Sequence, residues 1–125
     1  MNFQKKVTKS NYVREYITVL NGLLDLTPRE VDVLVAMIKV DTQWIPRAPS
    51  EIKNILSTDN RRLILKECNM GKSNFTKIIN KLIAIKLLVL STDTKYVVNE
   101  LLKPKMDSKG KIDIRFVLDV TDAIQ

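Results

Sequence analysis

The sequence predicts an α+β fold, with helices first, then a β-hairpin, and one further strand near the C-terminal end. Three observations predict it. Apolar residues recur at three- and four-residue intervals over 12–24, 31–40, 63–68 and 75–85, the spacing of helices with one buried face. Between 88 and 99, β-branched and aromatic residues flank the polar stretch Ser91-Thr92-Asp93-Thr94, which is a hairpin pattern. Finally, Ile112, Ile114, Phe116 and Leu118 alternate with Asp113, Arg115, Val117 and Asp119, the pattern of a strand with one buried side.

Residues 1–9 are polar and basic and read as a flexible arm, leaving 10–125 as a single domain. Ser10 is placed to cap a first helix that runs to about Leu24 through Tyr12, Val13, Tyr16, Ile17, Leu20 and Leu23, with Gly22 as a point where it could end early. Thr27-Pro28-Arg29-Glu30 is the clearest local signal. It puts Thr at the N-cap, Pro at the first helical position and Glu at N3, a capping box. Leu26 and Val31 fit a hydrophobic staple across it, and the helix continues through Val33, Leu34, Met37 and Ile38 to about Val40.

Gln43-Trp44-Ile45 is a short extended candidate kept short by Pro46 and Pro49. Ser50-Glu51 can open a brief helical turn through Ile55 and Leu56, and Ser57 to Asn60 reads as a polar break. A helix is expected over Arg61–Asn69, with Leu63, Ile64 and Cys68 or Leu65 facing inward. Met70-Gly71-Lys72 then makes a turn, and Ser73 caps a helix to about Ile85 through Phe75, Ile78, Ile79 and Leu82. Val89–Leu90 and Lys95–Asn99 form the hairpin.

Composition excludes several functions. The 125 residues are 45% hydrophobic and 28% charged, ordinary for one soluble domain. No apolar run approaches the roughly 20 residues of a membrane span, and the N-terminal stretch has no secretory apolar core, so a cytoplasmic protein is expected. There is no histidine and one cysteine, Cys68. That removes the commonest general base and metal ligand, and leaves neither an internal disulfide nor a zinc site within reach. No cofactor and no enzymatic activity are expected.

The net charge is +7, and its placement carries information. Arg61, Arg62, Lys66, Lys72, Lys77, Lys81 and Lys86 stand against Glu67 alone, so seven minus one puts +6 into the 26 residues 61–86. Basic charge concentrated on one element is the footprint of a nucleic-acid binder; a solvated lysine-rich helix face is the competing reading. The order helix, helix, short strand, helix, tight turn, helix, hairpin makes 61–86 a helix-turn-helix and 88–99 a wing. Phe75, Ile79 and Leu82 lock the second helix onto the first, and the opposite face is free to enter a major groove about 12 Å wide. Lys72, Ser73, Asn74, Thr76, Lys77, Asn80 and Lys81 lie on or beside that face, and Lys95 lies beside the wing tip. These eight are the candidate DNA-binding residues, with lysines for phosphates and amides and hydroxyls for base edges or phosphates.

Met70–Leu88, MGKSNFTKIINKLIAIKLL, resembles the recognition helix of winged helix-turn-helix regulators such as the MarR family. Ser73 and Thr76 match the polar start, Lys77 the basic position, Leu82 the central leucine and Leu87 the residue after the closing position. Lys86 stands where that family has glycine, so the resemblance implies a lysine at a position of positive φ. Ile83 and Ile85 stand where charged residues are usual there, which implies cover by another element or a partner chain. Lys95-Tyr96-Val97-Val98-Asn99 looks like the wing strand of plasmid and phage replication-initiator or replisome-organiser domains. Leu26–Glu30 also looks like the opening of LuxR-type output domains, but a capping box before an apolar helix produces the same letters.

Bland readings stand beside the sharp ones. Asp25, Glu30 and Asp32 read as a cap and two solvated carboxylates, and Cys68 as packing. Gly71-Lys72-Ser73 lacks the earlier glycine of a phosphate-binding loop, since Lys66 occupies that place. Trp44 reads as an anchor before a base-stacking platform. Tyr12 and Tyr16 would pack the first helix onto the body or onto a second copy, which suggests a homodimer through the N-terminal helix. The expected function is double-stranded DNA binding in transcription or replication control. Abundant Lys and Asn with only three glycines fits an AT-rich phage or plasmid genome. The alternative is an adaptor or structural protein, a virion or replisome component, with the same helix facing a protein partner.

Overall fold

A computed structural model of the chain describes residues 4–43, 53–92, 94–115 and 118–121. The fold is α+β: helices α1 (Tyr12–Leu24), α2 (Pro28–Thr42), α3 (Thr58–Cys68) and α4 (Lys72–Ala84), then strands β1 (Leu88–Thr92) and β2 (Lys95–Val98) and a 3-10 turn, Glu100–Leu102.

The core is built around α2. Val33, Leu34, Val35, Ala36, Met37 and Ile38 are all buried, so this helix is covered on nearly every side, and it packs against α1, α3, α4 and β2. Each large apolar side chain buried in this way contributes about 1.5–3 kcal/mol. The predicted capping box starts the helix. Thr27 Oγ1 accepts from the Glu30 N–H at 3.3 Å, and Glu30 Oε1 accepts from the Thr27 N–H at 2.9 Å. Leu26 and Val31, the expected staple pair, are both buried.

The first helix begins on Asn11, not Ser10. The Ser10 hydroxyl is engaged with that of Thr8 at 2.9 Å and Asn11 Oδ1 accepts from the Thr8 N–H, so neither side chain caps the helix. The helix passes through exposed Gly22 to Leu24 and ends on Asp25 at φ 55°. Asn21 then clasps the link to α2, its amide bonding both N–H and C=O of Leu26 at 2.8 and 3.1 Å. Tyr12, Tyr16, Leu20 and Leu24 pack partly buried on the core.

The stretch expected as a polar break is the first turn of α3. Ser57 is its N-cap, accepting from the Asn60 N–H, because Ser, Asp and Asn satisfy exposed N–H groups at helix starts. Ile55 and Leu56 are buried but lie in a turn and not a helix. Within α3, Ile64 and Cys68 face inward while Leu63 is 55% exposed, which corrects the expected inward Leu63. Trp44, Ile45, Pro46, Pro49, Ser50 and Glu51 lie outside the described residues, and with them most of the proposed short strand.

Helix α4 begins at Lys72 with Gly71 as N-cap, so Ser73 is inside the helix and does not cap it. Phe75, Ile78, Ile79 and Leu82 are buried as expected. They hold α4 chiefly on α2 and β1, whereas α3 also packs on α2; the second helix is anchored through the central helix more than through α3. Lys86 adopts φ 66°. Around it the Leu87 N–H bonds Leu82 C=O and the Lys86 N–H bonds Ile83 C=O, a complete Schellman closure.

β1 and β2 pair antiparallel in the register Leu88–Val98, Val89–Val97 and Leu90–Tyr96, with an irregularity between Leu90 and Thr92. The outer edge of β2 is covered by the segment before α3: the Ile55 N–H bonds Tyr96 C=O, and the Tyr96 N–H bonds Asn54 Oδ1. The predicted C-terminal strand is absent from the described part of 112–118; residues 112–115 and 118 carry no strand, and Phe116 and Val117 lie outside the described residues. A strand needs a neighbour to hold its ladder, and among the described residues none lies beside this one.

Candidate nucleic-acid interface

Helical spacing separates the two sides of α4. Phe75, Ile78, Ile79 and Leu82 point into the core, and Ser73, Thr76, Lys77 and Asn80 follow one another along the opposite side, with Lys72 and Asn74 at its start. All six polar residues are exposed. The helix has 13 residues, about 20 Å of length. Gly71 supplies no side-chain cap, and residues 71–74 are exposed. Thr76 is partly engaged, since its hydroxyl donates to Lys72 C=O at 3.0 Å.

Lys81 differs from the expectation that it would be free. Its ammonium lies 2.8 Å from Glu30 Oε1, and its side chain is 40% exposed. Burial pushes the Glu30 carboxyl up, but the bonds from Lys81 and from Thr27 outweigh it and hold the group below the ordinary glutamate value. Lys81 thus clamps α4 to the start of α2. Of the seven basic residues in 61–86, Arg61 is also used internally, donating to Leu56 C=O at 2.7 Å. Arg62, Lys66, Lys72, Lys77 and Lys86 are exposed, and among the described residues none of them is in an ion pair. Lys95 is exposed at the start of β2, next to the hairpin tip, so the structure brings a basic group to that end as expected.

Sequence reading missed the residues that brace this surface. Arg29 donates to Cys68 C=O at 2.9 Å and to Asn69 C=O at 3.4 Å, closing the end of α3 just before the turn into α4. Its guanidinium also pairs with Asp32, as does Arg14 from α1. A cation at a helix C-terminus is favourable, but the partner 39 residues away is invisible to local spacing. Asp41, buried at the end of α2, pairs with Lys53 at 2.9 Å and Lys103 at 2.5 Å. The Lys53 approach is a charge contact more than an aligned bond, because that ammonium also donates to the Asp41 main-chain oxygen. These contacts fasten the segment before α3 and the segment after β2 to the central helix.

Cys68 is buried, and burial raises its thiol above the ordinary range, with Asp32 adding to the shift. Among the described residues no group of three or more His, Cys, Asp or Glu side chains is gathered to hold a metal, and no helix is long and apolar enough to cross a membrane. No family model, curated protein or solved structure matches the chain.

Proposed function

We propose that this chain is a winged helix-turn-helix protein that binds double-stranded DNA, with α3 and α4 as the helix pair, α4 in the major groove and the β1–β2 hairpin as the wing. One observation carries the reading. The outer side of α4 from Lys72 to Asn80 is polar, exposed and free of carboxylates, while its other side is fixed in the core. Lys72 and Lys77 contact phosphates, with Lys95 reaching the backbone beside the wing. Asn74 and Asn80 are placed for adenine edges, to which an amide can bond twice. Ser73 and Thr76 add hydroxyls to phosphates or bases, and Lys81 acts chiefly by holding the helix. The protein is not an enzyme in this reading. It serves transcription or replication control in the cytoplasm, in a phage or plasmid system whose Lys- and Asn-rich usage reflects AT-rich DNA.

The test is fluorescence anisotropy of a random-sequence duplex at two salt concentrations. Each phosphate contact adds about −0.9 to the slope of log affinity against log salt, so Lys72, Lys77 and Lys95 together give about −3. Changing Lys72 and Lys77 to Ala should remove about 2 of that. An unchanged slope in the double variant refutes the placement of α4, and leaves an adaptor whose DNA affinity is incidental.

A further inference from the structure

Among the described residues the hairpin has one edge in use and one open. The N–H and C=O of Tyr96 both point to the segment before α3, and residue 96 lies opposite Leu90. In an antiparallel pair, residues that turn their backbone groups outward lie opposite one another. The N–H and C=O of Leu90 therefore point away from β2, and among the described residues nothing bonds them. The Leu90 side chain is 53% exposed. It lies on the face it shares with Leu88, Tyr96 and Val98, the first and last of which are buried. An open strand edge with an exposed apolar residue is a template for another strand.

The same chain carries a strand pattern that forms no strand among the described residues. In an extended chain Ile112, Ile114, Phe116, Leu118 and Val120 would alternate with Asp113, Arg115, Val117 and Asp119. Leu118 and Val120 are 82% and 94% exposed. Charge matches in part, at the two ends, where Asp113 and Asp119 flank the one cation of that side, Arg115. Asp113 and Asp119 are six residues apart, about 20 Å in an extended chain. Lys86 and Lys95 stand at the two ends of β1, the latter opposite Thr92, again six positions from Lys86. All four are exposed, and among the described residues none is in an ion pair. Lys95 shares the hairpin face of Val97, opposite to that of Leu90. A strand that lays its apolar side beside Leu90 thus turns its aspartates to the side of Lys95.

We propose that the free edge of β1 takes the 112–120 segment of a second copy of this chain as an added strand, so that two copies exchange C-terminal segments. The partner residues of the segment are backbone N–H and C=O groups of β1, and its apolar side covers Leu90. The hairpin edge, and not α1, is the contact, because Tyr12, Tyr16 and Ile83 already pack on their own core. This inference does not depend on DNA binding.

Sedimentation velocity on the full chain from micromolar to submillimolar concentration tests it, together with hydrogen exchange at the Leu90 amide. The expected result is a species of twice the chain mass with a protected Leu90 amide. Leu90→Pro removes only an outward N–H and is compatible with an edge position; it should weaken association about tenfold or more. Should that variant unfold the hairpin, the double variant Leu118→Asp and Val120→Asp decides, since both side chains are exposed. It should leave a folded monomer. A wild-type chain that stays monomeric, or a dimer that survives the double variant, overturns the proposal. A monomer with a protected Leu90 amide that the double variant exposes overturns it too, in favour of the chain's own segment on its own edge.

Discussion

Glu30 Oε1 accepts two hydrogen bonds, one from the Thr27 N–H at 2.9 Å and one from Lys81 Nζ at 2.8 Å. One carboxylate oxygen therefore closes the start of α2 and ties the last turn of α4 to it. The residue that looked local in sequence is a long-range brace.

That pairing sets an acid dependence. The Glu30 carboxyl titrates below its ordinary value of about 4.3 when folded. Its stabilisation is complete above that value and is lost as pH falls through the lower folded one. Glu30→Gln keeps the capping geometry but removes the charge. It should cost about 0.5–1 kcal/mol at pH 7, an amount limited by the half-exposed lysine, and less at pH 3. Urea denaturation at both pH values checks this; an equal cost at the two would mean the ion pair contributes nothing.

Lys77 and Lys81 should separate by function despite lying one helical turn apart. Lys77→Ala should leave stability within about 0.5 kcal/mol and flatten the DNA salt slope by about 0.9. Lys81→Ala should lower stability in parallel with Glu30→Gln and change the slope less. Identical effects on the slope would place both side chains on phosphate.

Lys86 holds φ 66°, a conformation that costs a residue with a Cβ about 1–2 kcal/mol. Lys86→Gly removes that strain and gives part of it back in unfolded-chain entropy. A net gain of about 0.5–1 kcal/mol is expected. Thermal denaturation will show it, and a lowered melting temperature would count against the Schellman closure.

Leu63 and Ile64 are adjacent apolar residues with opposite fates. Leu63→Ala should change stability by less than about 0.5 kcal/mol, while Ile64→Ala should cost about 2–5 kcal/mol. A large loss at Leu63 would mean that a partner covers it.

Local chemistry made much of this protein legible. The capping box at Thr27–Glu30, the buried stripe Phe75–Ile79–Leu82 and the Lys95 hairpin were readable because each depends on residues within one or two turns of chain. Helix starts were less so. Ser10, Ser57 and Ser73 are all acceptable caps by type, and only Ser57 performs the role, since Asn11 and Gly71 take the cap positions of the other two helices without a side-chain bond to the helix.

What the sequence determined alone was the succession of four amphipathic helices and a hairpin, and the concentration of positive charge on 61–86. These follow from periodicity and composition, which need no partner. Tertiary structure decided which charges remain available. It spent Lys81 on Glu30 and Arg61 on Leu56, turned Leu63 outward, and gave Asp41 two lysines from distant segments. Among the described residues it also gave 112–115 no strand partner, so an alternating pattern stayed without a strand. A strand is defined by what lies beside it, and an exposed lysine by what does not.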